Sequence, residues 1–502
     1  MKSVLIANRG EIAVRIIRAC RELGIRSIAV YSDADAEALH TRLADEAYRL
    51  GPAPSSESYL RTDRILDVAR ESGAEGIHPG YGFMAERAEF AKAVVDAGLV
   101  FIGPSPATID MMGDKTRART RMEAAGVPIV PGTTTPLADA AEAEAVAESM
   151  GYPVLLKAAA GGGGKGMRVA EDASRIRPSF EAAAREAKSA FGDGSIYIEK
   201  YLSRPRHIEI QVLGDLHGGV VHLGERECSI QRRHQKLVEE APSVVLDPET
   251  RAAMGEAAVR AAQAVEYAGA GTIEFLWQDG DFFFLEMNTR IQVEHPVTEL
   301  VTGIDLVEWQ LRVARGEALP WTQEGIRIEG HAIECRITSE DPDDGFLPST
   351  GTIRYLELPQ GPGVRWDGGV AAGTEVGLHY DPLLGKVIAW GADRATAIER
   401  MDRALREFVL VGVEHCGPFH RRVLAEEDFR AGNLSIRYLE EHPELTRAPE
   451  NGDALQRLAA AAAVLLEDER RRTLAPPRIR PGAGGAPRSA WQEAFAPGAS
   501  EY

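Results

Sequence analysis

One stretch constrains this chain more than any other. Gly271-Thr-Ile-Glu274-Phe275-Leu-Trp277 and Phe282-Phe-Phe-Leu-Glu286-Met-Asn288 are two β-prone runs separated by Gln278-Asp-Gly280-Asp281, and Asp-Gly between such runs marks a tight hairpin. A hairpin puts Glu274 and Glu286 on adjacent antiparallel strands. Two carboxylates and the Asn288 amide are hard oxygen ligands, a set that suits Mg²⁺ shared with substrate phosphates. Arg290, Gln292 and Glu294 follow directly, and their alternation predicts all three on one side of an extended segment. The same string could describe an ordinary hairpin whose charges face water, so the rest of the chain has to decide.

The chain, at 502 residues, is too long for one compact core and predicts about three domains. Its opening reads as a β-α-β unit of a parallel-sheet α/β fold. Val4-Leu-Ile-Ala7 and Ser27-Ile-Ala-Val-Tyr31 are strands, and Ile12, Ile16, Ala19, Cys20 and Leu23 form one helix face closed by Gly24. Asn8-Arg9-Gly10-Glu11 is not a dinucleotide fingerprint, which argues against NAD there. A net charge of −19 argues against general nucleic-acid binding and against an anionic membrane surface, while leaving room for a local basic pocket. No apolar run approaches the ~20 residues of a membrane span, and the N-terminal run is too short for a signal peptide. Four scattered cysteines supply neither a disulfide framework nor a zinc site, and a cytoplasmic location is expected.

Further along, Val154-Leu-Leu-Lys157 leads through Ala158-Ala-Ala160 into Gly161-Gly162-Gly163-Gly164-Lys165-Gly166, and Met167-Arg-Val-Ala170 follows. Consecutive glycines let backbone N–H groups approach phosphate oxygens, and flanking strands make the stretch a hairpin loop suited to a mobile lid. It is not a Walker A loop, because no Ser or Thr follows Lys165. Ser195-Ile-Tyr-Ile-Glu199-Lys200-Tyr201-Leu202 reads as a strand emerging into a loop. Arg206-His207-Ile-Glu209-Ile-Gln211-Val alternates as a half-buried strand does. Gln231-Arg-Arg-His234-Gln-Lys236 gathers donors that would focus an anion site in so acidic a chain. Val301–Ala314 reads as one helix, with Asp305 either its N-cap or in its first turn, and His331–Ile337 as a strand carrying Arg336.

In order, these blocks closely resemble biotin carboxylases of the ATP-grasp superfamily, from about Ser3 to about Leu439. The resemblance implies α/β and α+β architecture: a parallel-sheet, Rossmann-like domain over 1–112, an ATP-grasp domain over 113–325 with a Gly-rich lid at about 130–203, and a mixed α+β domain over 330–441. An Ala-rich helix and a Pro/Gly/Arg-rich tail occupy 442–502. It assigns Lys115, Lys157, Gly161 to Gly164, Met167, Glu199, Lys200, Leu202, His207, Gln231, His234 and Lys236 to ATP. It assigns Glu274, Glu286 and Asn288 to Mg²⁺ or Mn²⁺, and Arg290, Gln292, Val293 and Glu294 to bicarbonate. Glu294 is implied as the general base and Arg336 as the group facing the biotin ureido oxygen, with Arg290 and Lys236 also catalytic. Ala160, where many relatives carry Gly, is one departure; Gly412-Val413-Glu414-His415-Cys416-Gly417, where relatives usually carry Thr-Asn, is another.

The implied activity is ATP- and bicarbonate-dependent carboxylation of biotin on a separate carrier protein, since no Met-Lys-Met biotinylation motif occurs. A carboxyltransferase partner and a homodimer are implied with it, and the tail is expected to dock onto a further protein of the complex. Acetyl-CoA is the first acceptor to consider and propionyl-CoA the second, with pyruvate behind both. Two other readings compete: another ATP-grasp ligase such as a carbamoyl-phosphate-synthetase half, and a non-catalytic nucleotide-binding protein. Arg290-x-Gln292-x-Glu294 together with Glu334-Cys335-Arg336 favours the biotin carboxylase over the first. An intact set of carboxylates favours it over the second.

Overall fold

The computed structural model describes residues 1–133, 135–158, 167–191, 193–447 and 460–468. The chain divides into two compact units, Met1–Arg447 and Ala448–Tyr502. In the second, 460–468 is helical and exposed, including Val464, Leu465 and Leu466. The rest of the expected Asp453–Arg472 helix and the tail lie outside the described residues, as does the loop Gly161 to Gly166.

The first unit opens with a fully parallel sheet of five strands, ordered β3-β2-β1-β4-β5. These are β1 (Ser3–Ile6), β2 (Arg26–Ser32), β3 (Glu46–Gly51), β4 (Gly76–His78) and β5 (Val100–Phe101). Successive residues of β1 serve opposite faces: Val4 and Ile6 pack with Ile12, Ile16 and Cys20 of helix α1 (Gly10–Glu22), while Leu5 packs with Ile65, Val68 and Phe90. Burial on both faces is why β1 reads as a continuous apolar run.

A second, three-stranded antiparallel sheet is ordered β7-β6-β8, from β6 (Val154–Ala158), β7 (Met167–Ala170) and β8 (Ile196–Lys200). Lys157 pairs in register with Met167 and with Tyr197. The expected strands on either side of the glycine loop are therefore present.

The third sheet carries the site. It is antiparallel and eight-stranded: β9 (Arg206–Gly214), β10 (Val220–Arg232), β11 (Gln235–Ala241), β12 (Gly269–Gln278), β13 (Asp281–Asn288), β14 (His331–Thr338), β15 (Val364–Gly368) and β16 (Leu383–Gly391). Its spatial order is β13-β12-β9-β10-β11-β14-β16-β15. Ile208, Ile210, Val212, Ile273 and Phe275 of β9 and β12 pack on Met254, Ala257, Ala258 and Ala261 of the helix Pro248–Ala264. Toward the other end, Ile333, Cys335, Val387 and Ala389 join Ala397, Met401 and Phe419.

The hairpin forms as the sequence predicts. Gln278 pairs with Asp281 across Asp279 (φ 54°) and Gly280 (φ 95°), a two-residue turn with both φ positive, as a type I′ turn requires. Glu274 is opposite Glu286, and a bulge after that pair leaves Leu285 as the extra residue, 44% exposed.

Three expectations are corrected. β9 is not half-buried: it lies between β12 and β10 and is buried along its whole length. The segment after the hairpin is not extended, because Thr289 to Glu294 bends and turns into helix α2 (His295–Thr302). Val301–Ala314 is not one helix. Gly303 at φ 71° ends α2, and α3 (Leu306–Ala314) restarts with Asp305 as its N-cap, its carboxylate accepting from Glu308 N at 2.7 Å.

Phe275 is fully buried beneath the Glu274–Glu286 pair, edge-on to Phe282. Phe275→Ala is expected to cost about 3–5 kcal/mol, seen as a lowered thermal unfolding midpoint. A midpoint equal to that of the parent chain would contradict this packing.

Candidate active site

The polar residues of β9 face the site rather than solvent. His207, Glu209 and Gln211 alternate with Ile208 and Ile210, and the latter fill the core on the opposite face. Against the polar face lie Arg226 from β10, Lys236 from β11, Glu274 from β12 and the turn that delivers Gln292 and Glu294.

Lys236 is the hub. Its ammonium donates to Glu209 Oε2 at 2.5 Å, Glu274 Oε1 at 2.9 Å and Glu294 Oε1 at 2.6 Å, so each of its three donors meets a carboxylate. Burial opposes its charge, yet Glu209, Glu294 and Glu274 hold its pKa well above the ordinary value.

Behind it lies Arg226, wholly buried. Nε donates to Glu209 Oε1 at 2.5 Å. Nη1 donates to Gln211 Oε1 at 2.6 Å and Thr298 Oγ1 at 3.0 Å, and Nη2 to Thr272 Oγ1 at 3.0 Å and Gln292 Oε1 at 2.8 Å. All five guanidinium donors are used. Neither Arg226 nor Glu209 was singled out as a site residue from the sequence. The available signal was Glu225-Arg226-Glu227, three charges in a row inside a strand, where alternation forces at least one into the interior.

Glu274 is equally committed. Oε1 also accepts from Asn288 Nδ2 and Gln292 Nε2, each at 2.8 Å, and Oε2 lies 3.0 Å from His207 Nε2 as an ion pair rather than an aligned hydrogen bond. Burial pushes its carboxyl up, but His207 and Lys236 together hold it well below the usual range. Its register partner Glu286 goes the other way, raised by burial and then by the charge of Glu274, with exposed Lys115 opposing. The two carboxylates face each other in register, with Asn288 adjoining, its Nδ2 on Glu274 and its Oδ1 on Arg290, and this donor set fits a divalent cation.

Glu294 sits between two cations, Lys236 and Arg336, whose Nη2 reaches Glu294 Oε2 at 2.9 Å. Burial raises its carboxyl, but Lys236 and Arg336 prevail and keep it below the ordinary range. Arg336 Nε also donates to Glu239 Oε1 at 2.6 Å, a second partner that the sequence did not reveal. The departing segment near Cys416 packs directly behind it: the Arg336 carbonyl accepts from Cys416 Sγ at 3.0 Å and contacts His420 Nε2 at 2.6 Å.

The other expected residues lie apart from this hub. Arg290 Nε donates to Glu86 Oε2 at 2.9 Å, and its Nη2 to Asn288 Oδ1 at 3.2 Å. The basic run does not gather into one anion site. Arg233 (φ 51°) and His234 (φ 65°) are the exposed tip of the β10–β11 turn, which turns only Lys236 inward. Arg232 reaches the Gly345 carbonyl, and Gln231 Nε2 binds the Cys228 carbonyl at 2.8 Å. On the three-stranded sheet, Glu199 accepts from Lys157 and from Arg119, the latter at 2.9 Å. Lys200 is held by the carbonyls of Gly151 and Tyr152 at 2.9 and 3.2 Å, and Leu202 follows in the loop.

Comparison with known proteins bears on what such a site does. Residues 1–109 match the biotin carboxylase N-terminal domain family, 114–322 the carbamoyl-phosphate synthase L chain ATP-binding domain, and 334–441 the biotin carboxylase C-terminal domain. Biotin carboxylase 1 of Bacillus subtilis is 52% identical over 442 residues, covering 88% of this chain and 98% of its own length. The biotin carboxylase of a Nostoc species is 53% identical over 439 residues, covering 87% and 98%. The crystal structure of the Hydrogenobacter thermophilus 2-oxoglutarate carboxylase biotin carboxylase domain dimer, in complex with MgADP, ADP and bicarbonate, superposes with a TM-score of 0.81. It is 50% identical and covers 89% of this chain and 99% of that one.

His207 gives this cluster a pH signature. Burial opposes its charge, but Glu274 lifts its pKa to about 9 from an ordinary 6.5. A raised folded pKa means that the stabilisation is complete below pH 6.5 and lost as pH rises through 9. In chelator, the unfolding temperature is expected to fall across that window, and His207→Gln to flatten the fall. A variant with the parent slope would place the charge elsewhere.

Proposed function

The chain belongs to the biotin carboxylase family, and we propose that the cluster around Lys236 is where its ATP- and bicarbonate-dependent carboxylation of biotin takes place. The enzyme uses ATP with Mg²⁺ or Mn²⁺ and acts on biotin borne by a separate carrier protein. The observation that carries the site assignment is Glu294, buried between Lys236 at 2.6 Å and Arg336 at 2.9 Å.

In this reading Glu294 takes the proton of bicarbonate, which Arg290, Gln292 and the Val293 N–H hold; a guanidinium fork matches a planar oxyanion. The deprotonated bicarbonate oxygen attacks the γ-phosphorus of ATP, the bond to the β-phosphate oxygen breaks, and carboxyphosphate and ADP form. Carboxyphosphate then separates into CO₂ and phosphate. The phosphate removes the N1′ proton of biotin, and N1′ attacks CO₂, while Arg336 stabilises the ureido oxyanion. Lys115, Lys157, Lys236, His207, Gln231 and His234 serve the phosphate end. Met167, Glu199, Lys200 and Leu202 serve the adenine end, and Gly161 to Gly164 serve the phosphates. Glu274, Glu286 and Asn288 would hold the divalent cation, which neutralises phosphate charge. A carboxylate held below its ordinary pKa is a weak base. A phosphate sharing Lys236 loosens that hold and strengthens Glu294 as a base when ATP is in place.

We divide the chain functionally at 1–112, 113–325 and 330–441, with 442–502 as an appendage. A carboxyltransferase partner and a homodimer complete the working assembly, the latter supported by the dimer of the Hydrogenobacter domain. Similarly related chains are named for pyruvate, 2-oxoglutarate and methylcrotonoyl-CoA, which supports an acceptor chosen outside this polypeptide; we assign an acyl-CoA, acetyl-CoA first. A cytoplasmic location is supported by four cysteines that are all free and buried. No helix among the described residues is long and apolar enough to cross a membrane.

ADP release that depends on bicarbonate and rises with added free biotin is the expected behaviour; release independent of both would instead favour another ATP-grasp reaction. Glu294→Gln should lower kcat by about 10²–10⁴-fold with ATP KM held within about threefold. A normal kcat would remove Glu294 from the role of base. Lys157→Ala should weaken ATP binding by about tenfold or more in calorimetry, and an unchanged affinity would count against its phosphate role.

A further inference from the structure

Lys386 on β16 is fully buried, and the activity as derived above makes no use of it. It is the register partner of Arg336 on β14 and of Asp367 on β15. Its ammonium donates to the Val293 carbonyl and lies 3.2 Å from Glu11 Oε1, in the first turn of α1. One nitrogen thus joins the N-terminal helix, the turn after the hairpin and a strand from the far part of the same eight-stranded sheet.

Stability alone does not account for a lysine here. Burying an ammonium carries a desolvation cost of several kcal/mol that an apolar side chain of similar size avoids. The surrounding acids are not fully satisfied either, since Glu11 Oε2 and both oxygens of Glu334 have no hydrogen-bond partner. What the charge does accomplish is directional. The Val293 carbonyl belongs to the Val293–Glu294 peptide, and the preceding carbonyl, of Gln292, accepts from His295 Nδ1 at 2.7 Å and His295 N at 3.3 Å. A planar trans peptide points its N–H opposite its carbonyl. Two consecutive carbonyls anchored in the interior therefore turn the Val293 and Glu294 N–H groups away from these anchors.

We propose that Lys386 is a positioning residue for bicarbonate, holding the Val293 carbonyl beside Glu11 so that the Val293–Glu294 peptide, and with it the Glu294 N–H and carboxylate, is presented in one arrangement next to the Val293 N–H that His295 orients. The proposal rests on the reading of residues 290–294 as the bicarbonate site.

Steady-state ADP release by the full chain with free biotin tests it. Lys386→Met is expected to raise the bicarbonate KM by about tenfold while the ATP KM stays within about twofold. Lys386→Arg, which keeps a charged donor, should recover most of that loss. A bicarbonate KM within about twofold of the parent, or an ATP KM that rises in step with it, overturns the proposal. Should Lys386→Met fail to fold, Glu11→Gln decides: a rise of about threefold in bicarbonate KM alone is expected, and no change overturns the proposal. Glu294→Gln run alongside separates the two failures. If it retains bicarbonate-dependent release, the site reading falls; if it loses release while Lys386→Met behaves as the parent, only the role of Lys386 falls.

Discussion

A single ammonium held by three buried carboxylates sets the terms for everything around it. Glu209, Glu274 and Glu294 come from a strand, a neighbouring strand and a turn, and Lys236 from a fourth segment. Buried like charges at this spacing repel by several kcal/mol unless a counter-ion sits among them. The register of β9, β11 and β12 and the path of the chain after β13 must therefore all be right together. Arg226 makes the same demand from behind, since its five donors reach Glu209, Gln211, Thr298, Thr272 and Gln292.

This interdependence explains why the polar residues are placed with so little slack. Glu274 alone accepts from a lysine and two amides and faces the His207 imidazole. Each contact also constrains a neighbour: Gln292 bridges Glu274 and Arg226, and Asn288 bridges Glu274 and Arg290. A network in which nearly every polar atom is shared has few alternative arrangements, which is how buried polarity can specify one structure. The Arg336 side adds its own anchor through Cys416 and His420. The segment that departs from the family pattern thus still packs against the backbone that carries the guanidinium.

Much of this was legible in the sequence, and the gaps have physical causes. Asp279-Gly280 announced its turn because few residue pairs tolerate two positive φ angles. The apolar run of β1 announced a strand covered on both sides. The alternation in β9 was read correctly as a strand and wrongly as half-exposed, because period two reveals a polar face without revealing whether water or a binding site covers it. Glu209, Arg226 and Glu239 were missed for that same reason. The run from Arg290 to Glu294 misleads for the opposite one: its alternation predicts an extended segment where the chain turns into α2. Gly303 hid inside an apolar stripe that continues in phase across the break between two helices.

The eight-stranded sheet runs without interruption from the hairpin to β15, because β11 pairs with β14 through Val238–Cys335 and Glu239–Glu334. The boundary between two sequence families is thus stitched by a backbone ladder, and it is not a linker. The two parts on either side of that boundary cannot be exchanged like beads on a string. A hybrid that borrows the last third of a cousin inherits the task of matching both pleat and charge along that seam, with Arg336 one strand from the Lys236 hub.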